Sequence, residues 1–245
     1  MRLALVSDIH GNLPALEAVV ADIARRGADR VVNLGDALSG PLLPRETAQY
    51  LAAAGWPSIA GNHERQLLEF RPGHGGPSDA YAHAQLTETE FAWLRALPST
   101  LRLEGDVLLC HGTPDADCRY FLESIAGDAL VLATPEEVEE RRGTARAELI
   151  ACGHTHVPRA VRLADGTLVV NPGSVGLPAY TDDAPVFHRA ETGSPAARYA
   201  LVERTAAGWT VEHVAVEYDH ETPARLAAQR GRTDWEIALR SGFTR

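Results

Sequence analysis

Five short apolar runs end in residues that carry a free lone pair: LALVSDIH, RVVNLGD, PSIAGNH, VLLCHG and LIACGHTH. Their endings supply Asp8 and His10, Asp36, Asn62 and His63, His111, and His154 and His156. Buried parallel strands read as continuous Val/Ile/Leu/Ala runs, and open α/β sheets collect their ligands beyond the carboxyl ends of such strands. Donors scattered along the chain can therefore meet on one patch. The number and type of these donors suit two divalent cations side by side, and so hydrolysis at a bimetal centre.

With 245 residues and 45% hydrophobic composition, the chain can bury one sizeable core. A domain of this size hides roughly 70–75% of its unfolded surface. The net charge of −10 argues against general affinity for nucleic-acid backbones or anionic membranes, which need a basic footprint. The chain contains no Lys, which removes Schiff-base catalysis and the P-loop lysine. Cys110, Cys118 and Cys152 form no even framework and read as thiols in a reducing compartment. No stretch approaches the roughly 18 apolar residues of a membrane span, and Met1 to Val6 is too short for a signal segment. The expectation is a cytoplasmic enzyme; a homo-oligomer is left open.

A strand is expected over 3–7, an amphipathic helix over 14–26 (Leu16, Val19, Val20, Ile23) and a strand over 30–34, making a βαβ unit. A helix at about 44–54 and a strand at 57–60 continue the pattern. Residues 64–97 change character: helical segments flank RPGHGGPS, and the block is expected to cap the site. Short strands follow at 99–103, 106–110, 147–151, 159–163 and 167–171, with a helix at about 134–142 and a hairpin turn at Asp165-Gly166. The aperiodic, Pro- and Ala-rich segment 177–197 reads as a long loop. Strands at 198–204 and 210–217 complete a catalytic domain over 1–218, and a helical tail over 219–245 packs on it.

Hydrolysis of a phosphate ester needs a nucleophilic hydroxide, neutralisation of the phosphoryl oxygens and a proton for the leaving group. Two metals roughly 3.5–4 Å apart meet the first two needs. Asp36, ending the second strand, is the natural bridge, because a carboxylate can donate one oxygen to each ion. Imidazole and carboxylate ligands suit Mn, Fe, Ni or Zn, and no cluster in the chain favours a thiolate cage.

In these residues the chain resembles the calcineurin-like metallophosphoesterase superfamily. The motifs D-x-H, G-D, G-N-H-[DE], H and G-H-x-H appear in order as Asp8-Ile9-His10, Gly35-Asp36, Gly61-Asn62-His63-Glu64, His111 and Gly153-His154-Thr155-His156. The resemblance implies a four-layer α/β/β/α sandwich of two mixed sheets flanked by helices. It implies one metal held by Asp8, His10, Asp36 and His156, and a second held by Asp36, Asn62, His111 and His154. Mn is the foremost ion, with Fe, Ni, Zn or Mg as alternatives. His63 would then protonate the leaving group.

The serine/threonine protein phosphatases of the superfamily carry an Arg before G-N-H-E and Asp-Arg-Gly after G-D. In this chain those positions hold Ala60 and Ala37-Leu38-Ser39-Gly40-Pro41, so a bidentate clamp on a terminal phosphate is missing. The departure favours the compact prokaryotic branch of phosphodiesterases and small-molecule phosphatases. Asn171-Pro172-Gly173-Ser174-Val175-Gly176 also resembles that branch, including its diadenosine tetraphosphatase-like members. The implied substrate is a small phosphodiester or nucleotide. Alternatives are a phosphomonoesterase, dinuclear hydrolysis of a non-phosphate substrate, or a non-catalytic scaffold; the presence of His63 argues against the last.

Simpler roles compete at single residues. Asn62 could merely cap a helix. His74, His83, His188, His213 and His220 lie outside the motifs and read as surface or packing residues, with His188 the one worth testing. Ser174 lacks the G-x-S-x-G setting of a nucleophile. Arg119, Tyr120, Arg159 and Tyr180 divide evenly between substrate contacts and solvated side chains.

Overall fold

The computed structural model describes residues 1–245. Strand β1 (Arg2–Val6) is buried from Leu3 onward and leads into helix α1 (Leu13–Arg26), whose Asn12 side chain accepts the Ala15 N–H as an N-cap. The helix buries Ala15, Leu16, Val19 and Ile23, the face set by its apolar spacing. Strand β2 (Arg30–Asn33) returns parallel to β1. Helix α2 (Pro44–Ala54) follows, but the stretch at 57–60 makes only an isolated bridge between Ser58 and Asn33 rather than a strand. Helices α3 (Asn62–Glu69), α4 (Pro77–Gln85) and α5 (Glu88–Arg95) fill the block expected as a cap.

The second half supplies β3 (Leu101–Leu103), β4 (Val107–Leu109), β5 (Glu123–Ala126), β6 (Ala129–Leu132), α6 (Pro135–Arg142), β7 (Leu149–Ala151), β8 (Arg159–Arg162) and β9 (Leu168–Asn171). Strands β10 (Ala179–Asp182), β11 (His188–Glu191), β12 (Ala197–Thr205) and β13 (Gly208–Val216) precede helices α7 (Glu221–Gln229) and α8 (Thr233–Ser241).

Two mixed sheets, ordered β13-β12-β1-β2 and β3-β4-β7-β9-β8, face each other across an apolar core. Leu5, Val32, Leu34 and Val202 from the first sheet meet Leu109, Leu149, Ala151 and Val170 from the second. On the outer face of the first sheet lie α1 and α2; on that of the second, Val138 of α6 packs with Cys110, Ile150 and Cys152. This is the α/β/β/α layering that the resemblance implies. Pairing within the sheets places β1 and β2, and likewise β4, β7 and β9, parallel, so their carboxyl ends open on one side.

A further feature departs from the sequence reading. Residues 177–197 are not a long loop: β10 and β11 pair antiparallel within them and join β6 and β5 in a third small sheet ordered β10-β11-β6-β5. These strands are four residues long and bury polar groups such as His188 and Glu123, so no sustained apolar alternation announces them. The C-terminal helices form their own apolar contact, with Ala224, Ala227, Trp235, Ala238 and Leu239 against Leu42, Leu177 and Ala179. No helix is long and apolar enough to cross a membrane.

One buried polar joint ties α1 to the first sheet. Tyr199 of β12 donates to Asp22 Oδ2 at 2.8 Å and Arg26 Nε donates to the same oxygen at 2.7 Å. Burial opposes ionisation of Asp22, but the bonds from Tyr199 and Arg26 outweigh it and hold the carboxyl below its ordinary value. Tyr199→Phe is expected to lower stability by about 1.5–3 kcal/mol at neutral pH. Because the native pKa is depressed, that contribution is present above the unfolded value and is lost as pH falls through the folded one. Urea unfolding of both proteins at neutral and acidic pH checks this; a deficit that persists unchanged into strong acid contradicts it.

Candidate metal centre

Most of the motif residues sit just past the carboxyl ends of the parallel strands, and Asn62 and His63 begin α3 after the single bridge at Ser58. Asp8 and His10 follow β1, Asp36 follows β2, His111 follows β4, and His154 and His156 follow β7. The chain must reverse at once to aim these side chains back at one point. Of the six non-glycine residues with positive φ, five are Asp8, His10, Asp36, His154 and His156. Left-handed backbone at such residues is strained and tends to cluster where function demands it. Backbone bonds stitch the turns together: Asp8 N–H to Gly35 O (3.0 Å), His10 N–H to Asp36 O (3.0 Å) and Gly153 N–H to His111 O (2.7 Å).

Two ligand groups result. Asp8, His10 and His156 form one, and Asp36, His111 and His154 the other, with the candidate ligand atoms of each within 4.8 Å of one another. The imidazoles are oriented by the same device. His10 Nδ1 meets Ser39 O, His111 Nδ1 meets Leu34 O and His156 Nδ1 meets Leu177 O, each at 2.7 Å. A carbonyl can only accept, so Nδ1 carries the proton and Nε2 presents its lone pair inward, the second sphere of a metal-binding histidine.

The lone pairs so placed call for positive charge. His10 Nε2 and His156 Nε2 face each other at 3.2 Å, and His156 Nε2 lies 3.3 Å from Asp8 Oδ1. His111 Nε2 lies 3.0 Å from Asp36 Oδ2 without an aligned hydrogen bond. Asp8 Oδ1, Asn62 Oδ1 and His111 Nε2 are buried with no hydrogen-bond partner. Orphaned acceptors at this density are costly, and divalent cations would satisfy them. Without ions, burial and then the His156 ring push His10 down to about 3. Burial and His111 push His154 down to about 4. At His111 burial works against the charge, yet Asp36 overcomes it and lifts the ring to about 10. The donor set thus fits two divalent ions of the imidazole- and carboxylate-binding class.

Asn62 is the first residue of α3, and its neighbour Gly61 is the N-cap. Its unpartnered Oδ1 caps nothing, which leaves it available as a ligand. Gly61 is required for space: a Cβ there would lie 2.2 Å from Asp36 Oδ1. That same oxygen accepts the His63 N–H at 2.9 Å, seating the Asp36 carboxylate on the start of α3.

His63 stands beside the ligands, its ring 5.4 Å from that of His10 in a T-shaped contact. Its Nδ1 pairs with Asp79 Oδ1 at 2.8 Å, and Asp79 is buried in the first turn of α4. Burial opposes a charge on His63, but Asp36 and then Asp79 overcome it and raise the ring to about 9. A cleft of about 770 Å³ opens above these groups. It is lined by His10, Asp36, Asn62, His63, His154 and His156, by the loop around Arg71 to Ser78, and by Arg232 and Trp235 of the C-terminal hairpin.

Several supporting residues were not read from the sequence. Glu64 accepts the N–H groups of Asp36 (2.7 Å), Ala37 (2.8 Å) and Gly61 (2.7 Å), locking two motifs together. Its place in G-N-H-E was the available signal. Asn171 Nδ2 donates to Gly153 O (2.7 Å) and Thr155 Oγ1 (2.9 Å), bracing the turn that carries His154 and His156. Ser174 Oγ donates to Asp8 O (2.8 Å) and accepts from Leu177 N (2.8 Å), a structural role. Asp79 had no signal, because nothing local says which helix of the cap will reach His63.

The remaining candidates divide. Tyr180 borders the cleft, whereas Tyr120 lies behind it, 3.1 Å from Tyr180 Oη and 2.6 Å from His188 Nε2. The two tyrosine rings pack on His156 (4.7 Å) and His154 (5.1 Å), so buried His188 supports the centre from behind. Arg119 pairs with Glu140, and Arg159 lies near Glu123; neither borders the cleft. His74 lines the cleft, His83 packs between Phe70 and Phe91, and His213 bonds Asn171 O. Cys110 and Cys152 are buried free thiols and Cys118 is exposed.

The chain is similar to known proteins in sequence and in fold. The sequence model described as the calcineurin-like phosphoesterase superfamily domain matches residues 1–194. The uncharacterized protein MJ0912 of Methanocaldococcus jannaschii is 25% identical, with 95% of this chain and 94% of that protein covered. Phosphodiesterase YfcE of Escherichia coli K12 is 28% identical over 73% of this chain and 81% of its own length. A metallophosphoesterase crystal structure from Sphaerobacter thermophilus superposes with a TM-score of 0.76 at 24% identity, covering 99% of both chains.

Replacing Glu64 by Gln would keep one acceptor oxygen but turn an NH₂ group toward at least one of the three backbone donors. Glu64→Gln is expected to cost about 1–3 kcal/mol, from a buried donor left unsatisfied. Chemical denaturation measures it; a loss below about 0.5 kcal/mol, the ordinary scale of a surface change, contradicts the locking role.

Proposed function

The chain belongs to the calcineurin-like phosphoesterase superfamily, and from that premise we propose that it is a dinuclear-metal-dependent phosphoesterase acting on small phosphodiester or nucleotide-type substrates. The observation that carries this reading is the juxtaposition of the two ligand triads with the His63–Asp79 pair at the floor of one cleft. Asp8, His10, Asp36 and His156 would hold one ion, and Asp36, Asn62, His111 and His154 the other, with Mn the foremost choice. Such a pair supplies Lewis acidity, acidifying a water and offsetting charge on the phosphoryl oxygens.

The chain's own residues supply the rest. Asp36 is held by the His63 N–H on one oxygen and faces His111 with the other, and its charge also acts on the His10 ring of the first group, the position a shared carboxylate would need. Asp79 on Nδ1 orients the His63 ring and stabilises its protonated form, leaving Nε2 to give a proton to the departing alkoxide. A general acid of this kind matters most when the leaving alcohol is weakly acidic.

The cleft supports a diester over a polyphosphate chain. Its volume falls in the range that holds a small organic molecule rather than phosphate alone. Beyond the ligands and Asp79 its charged lining is Glu69, Asp182, Asp183 and Asp234 against Arg71 and Arg232. Arg232 is already bound to Asp234 at 3.0 and 2.6 Å. Little cationic surface is left for further phosphates, and residue 60 supplies none, being Ala.

Purified protein is expected to take up about two Mn ions per chain, the occupancy of a dinuclear site, and to hydrolyse bis-p-nitrophenyl phosphate. Asp36→Asn should abolish turnover and weaken both ion sites, as read by metal analysis and calorimetric titration. His63→Ala should retain its ions and slow turnover by about 10²–10⁴-fold, less for a strongly acidic leaving group. Full activity in Asp36→Asn contradicts the bridging role of that carboxylate, and ion loss in His63→Ala contradicts the role of the ring as proton donor.

A further inference from the structure

Helix α4 carries Asp79 to His63 and packs on α2 and α3, with Ala82 in the core and His83 between Phe70 and Phe91. The residues that lead into it include Gly73, Gly75 and Gly76, so its first turn, where Asp79 lies, follows a permissive backbone. The C-terminal hairpin, beyond the 1–194 span of the family match, grips that first turn as well. Arg232 Nη1 donates to Ser78 Oγ at 2.8 Å, one residue from Asp79. Asp234 fixes the guanidinium through Nε and Nη2, and the guanidinium lies 5.6 Å over the Trp235 ring.

The hairpin is anchored to the metal side as well. Trp235 is buried with its ring 6.0 Å from His10 in a T-shaped contact, and it fills the space that a Cβ at Gly40 would need. Arg230 donates to Pro41 O at 2.6 Å and to Leu42 O, with its guanidinium 4.7 Å from the Tyr81 ring of α4. One short segment, Arg230 to Trp235, therefore spans from the loop after Asp36 to the helix that presents Asp79.

We infer that Arg232 is a positioning residue for proton transfer: through Ser78 it holds α4 where Asp79 meets His63, which makes the C-terminal hairpin part of the reaction machinery. This rests on the reading of His63 as proton donor. Release of the grip lets α4 shift, the Nδ1 contact loosens, and the ring loses its orientation toward the leaving oxygen. A misplacement of about 1 Å in such a group costs on the order of 10²-fold in rate.

The test compares diesters that expel p-nitrophenol with diesters that expel an aliphatic alcohol, using the full-length, Mn-loaded protein. Ser78→Ala removes only the hydroxyl and leaves the Arg232–Asp234 pair in place; Arg232→Ala removes the whole grip. Both are expected to lower kcat about 10–100-fold for the aliphatic leaving group. For p-nitrophenol the loss should shrink to about threefold, since little proton donation is needed. Ion content should stay at the wild-type value, amide hydrogen exchange over residues 77–85 should quicken, and Arg232→Lys should recover part of the rate. In an Asp79→Asn background, Arg232→Ala should have no further effect, as expected for two residues acting through one contact.

Equal losses with both leaving groups, unchanged kcat, additive losses with Asp79→Asn, or loss of ions would each overturn the inference. His63→Ala serves as the separate control. If that variant shows no dependence on leaving group, the donor reading itself fails; if it does and the Ser78 and Arg232 variants do not, only the positioning role of Arg232 is lost.

Discussion

Everything at the site depends on sharp reversals of the backbone at the ends of buried parallel strands. A strand that simply continued would carry Asp8, Asp36 or His154 away over the sheet edge. Left-handed turns send them back, and the strain of each, on the order of 1–3 kcal/mol, must be absorbed by the surroundings. The two-sheet core does this. Ala4, Leu5, Val6, Leu109 and Leu149 to Ala151 are all fully buried immediately before the turns, so the strand ends cannot relax without opening packed apolar surface.

A second constraint acts on the side chains. Three imidazoles are pinned through Nδ1 to Ser39, Leu34 and Leu177 carbonyls; Leu34 leads into Asp36, and Ser39 and Leu177 lie in turns that follow a ligand candidate or a brace. Loop and ligand fix one another. Ser39 follows Asp36 in the loop and orients His10; Leu177 ends the Asn171 to Gly176 segment and orients His156. The inward lone pairs then leave the site electrostatically unfinished, since closely facing acceptors repel unless a cation or proton lies between them. The same geometry that makes the apoprotein locally unfavourable is what selects for ions.

The candidate ligands were legible in the sequence because each sits in a local pattern: an apolar run, then a donor, with Gly where space is short. Asp8, His10, Asp36, His111, His154 and His156 lie past strand ends on one side of the sheets, and Asn62 follows the bridge at Ser58 at the start of a helix. The βαβ start and the helix at 44–54 were legible for the same reason, as one face of each is uniformly apolar. The third sheet was not, because four-residue strands that bury His188 and Glu123 carry no period to detect. Glu64 was visible in its motif but mute as to role. Asp79, Arg232 and Trp235 come from segments distant in sequence whose meeting depends on how the cap and tail pack, and no local pattern encodes that.

Net charge adds a final consideration. A chain of −10 repels small anions at long range, and Asp8 and Asp36 add two buried carboxylates within the candidate metal centre. Arginine, the usual remedy, is scarce in the cleft and already paired at residue 232. Two dications would more than offset the two carboxylates, so on the proposed reading the attraction for phosphate would depend on metal loading rather than on side chains. Such a cleft would bind an anion only beside the ions. Its acidic outer lining would then favour a substrate with one phosphoryl charge and a neutral remainder, because each further phosphate would have to lie against Glu69, Asp182 or Asp183 with little to balance it.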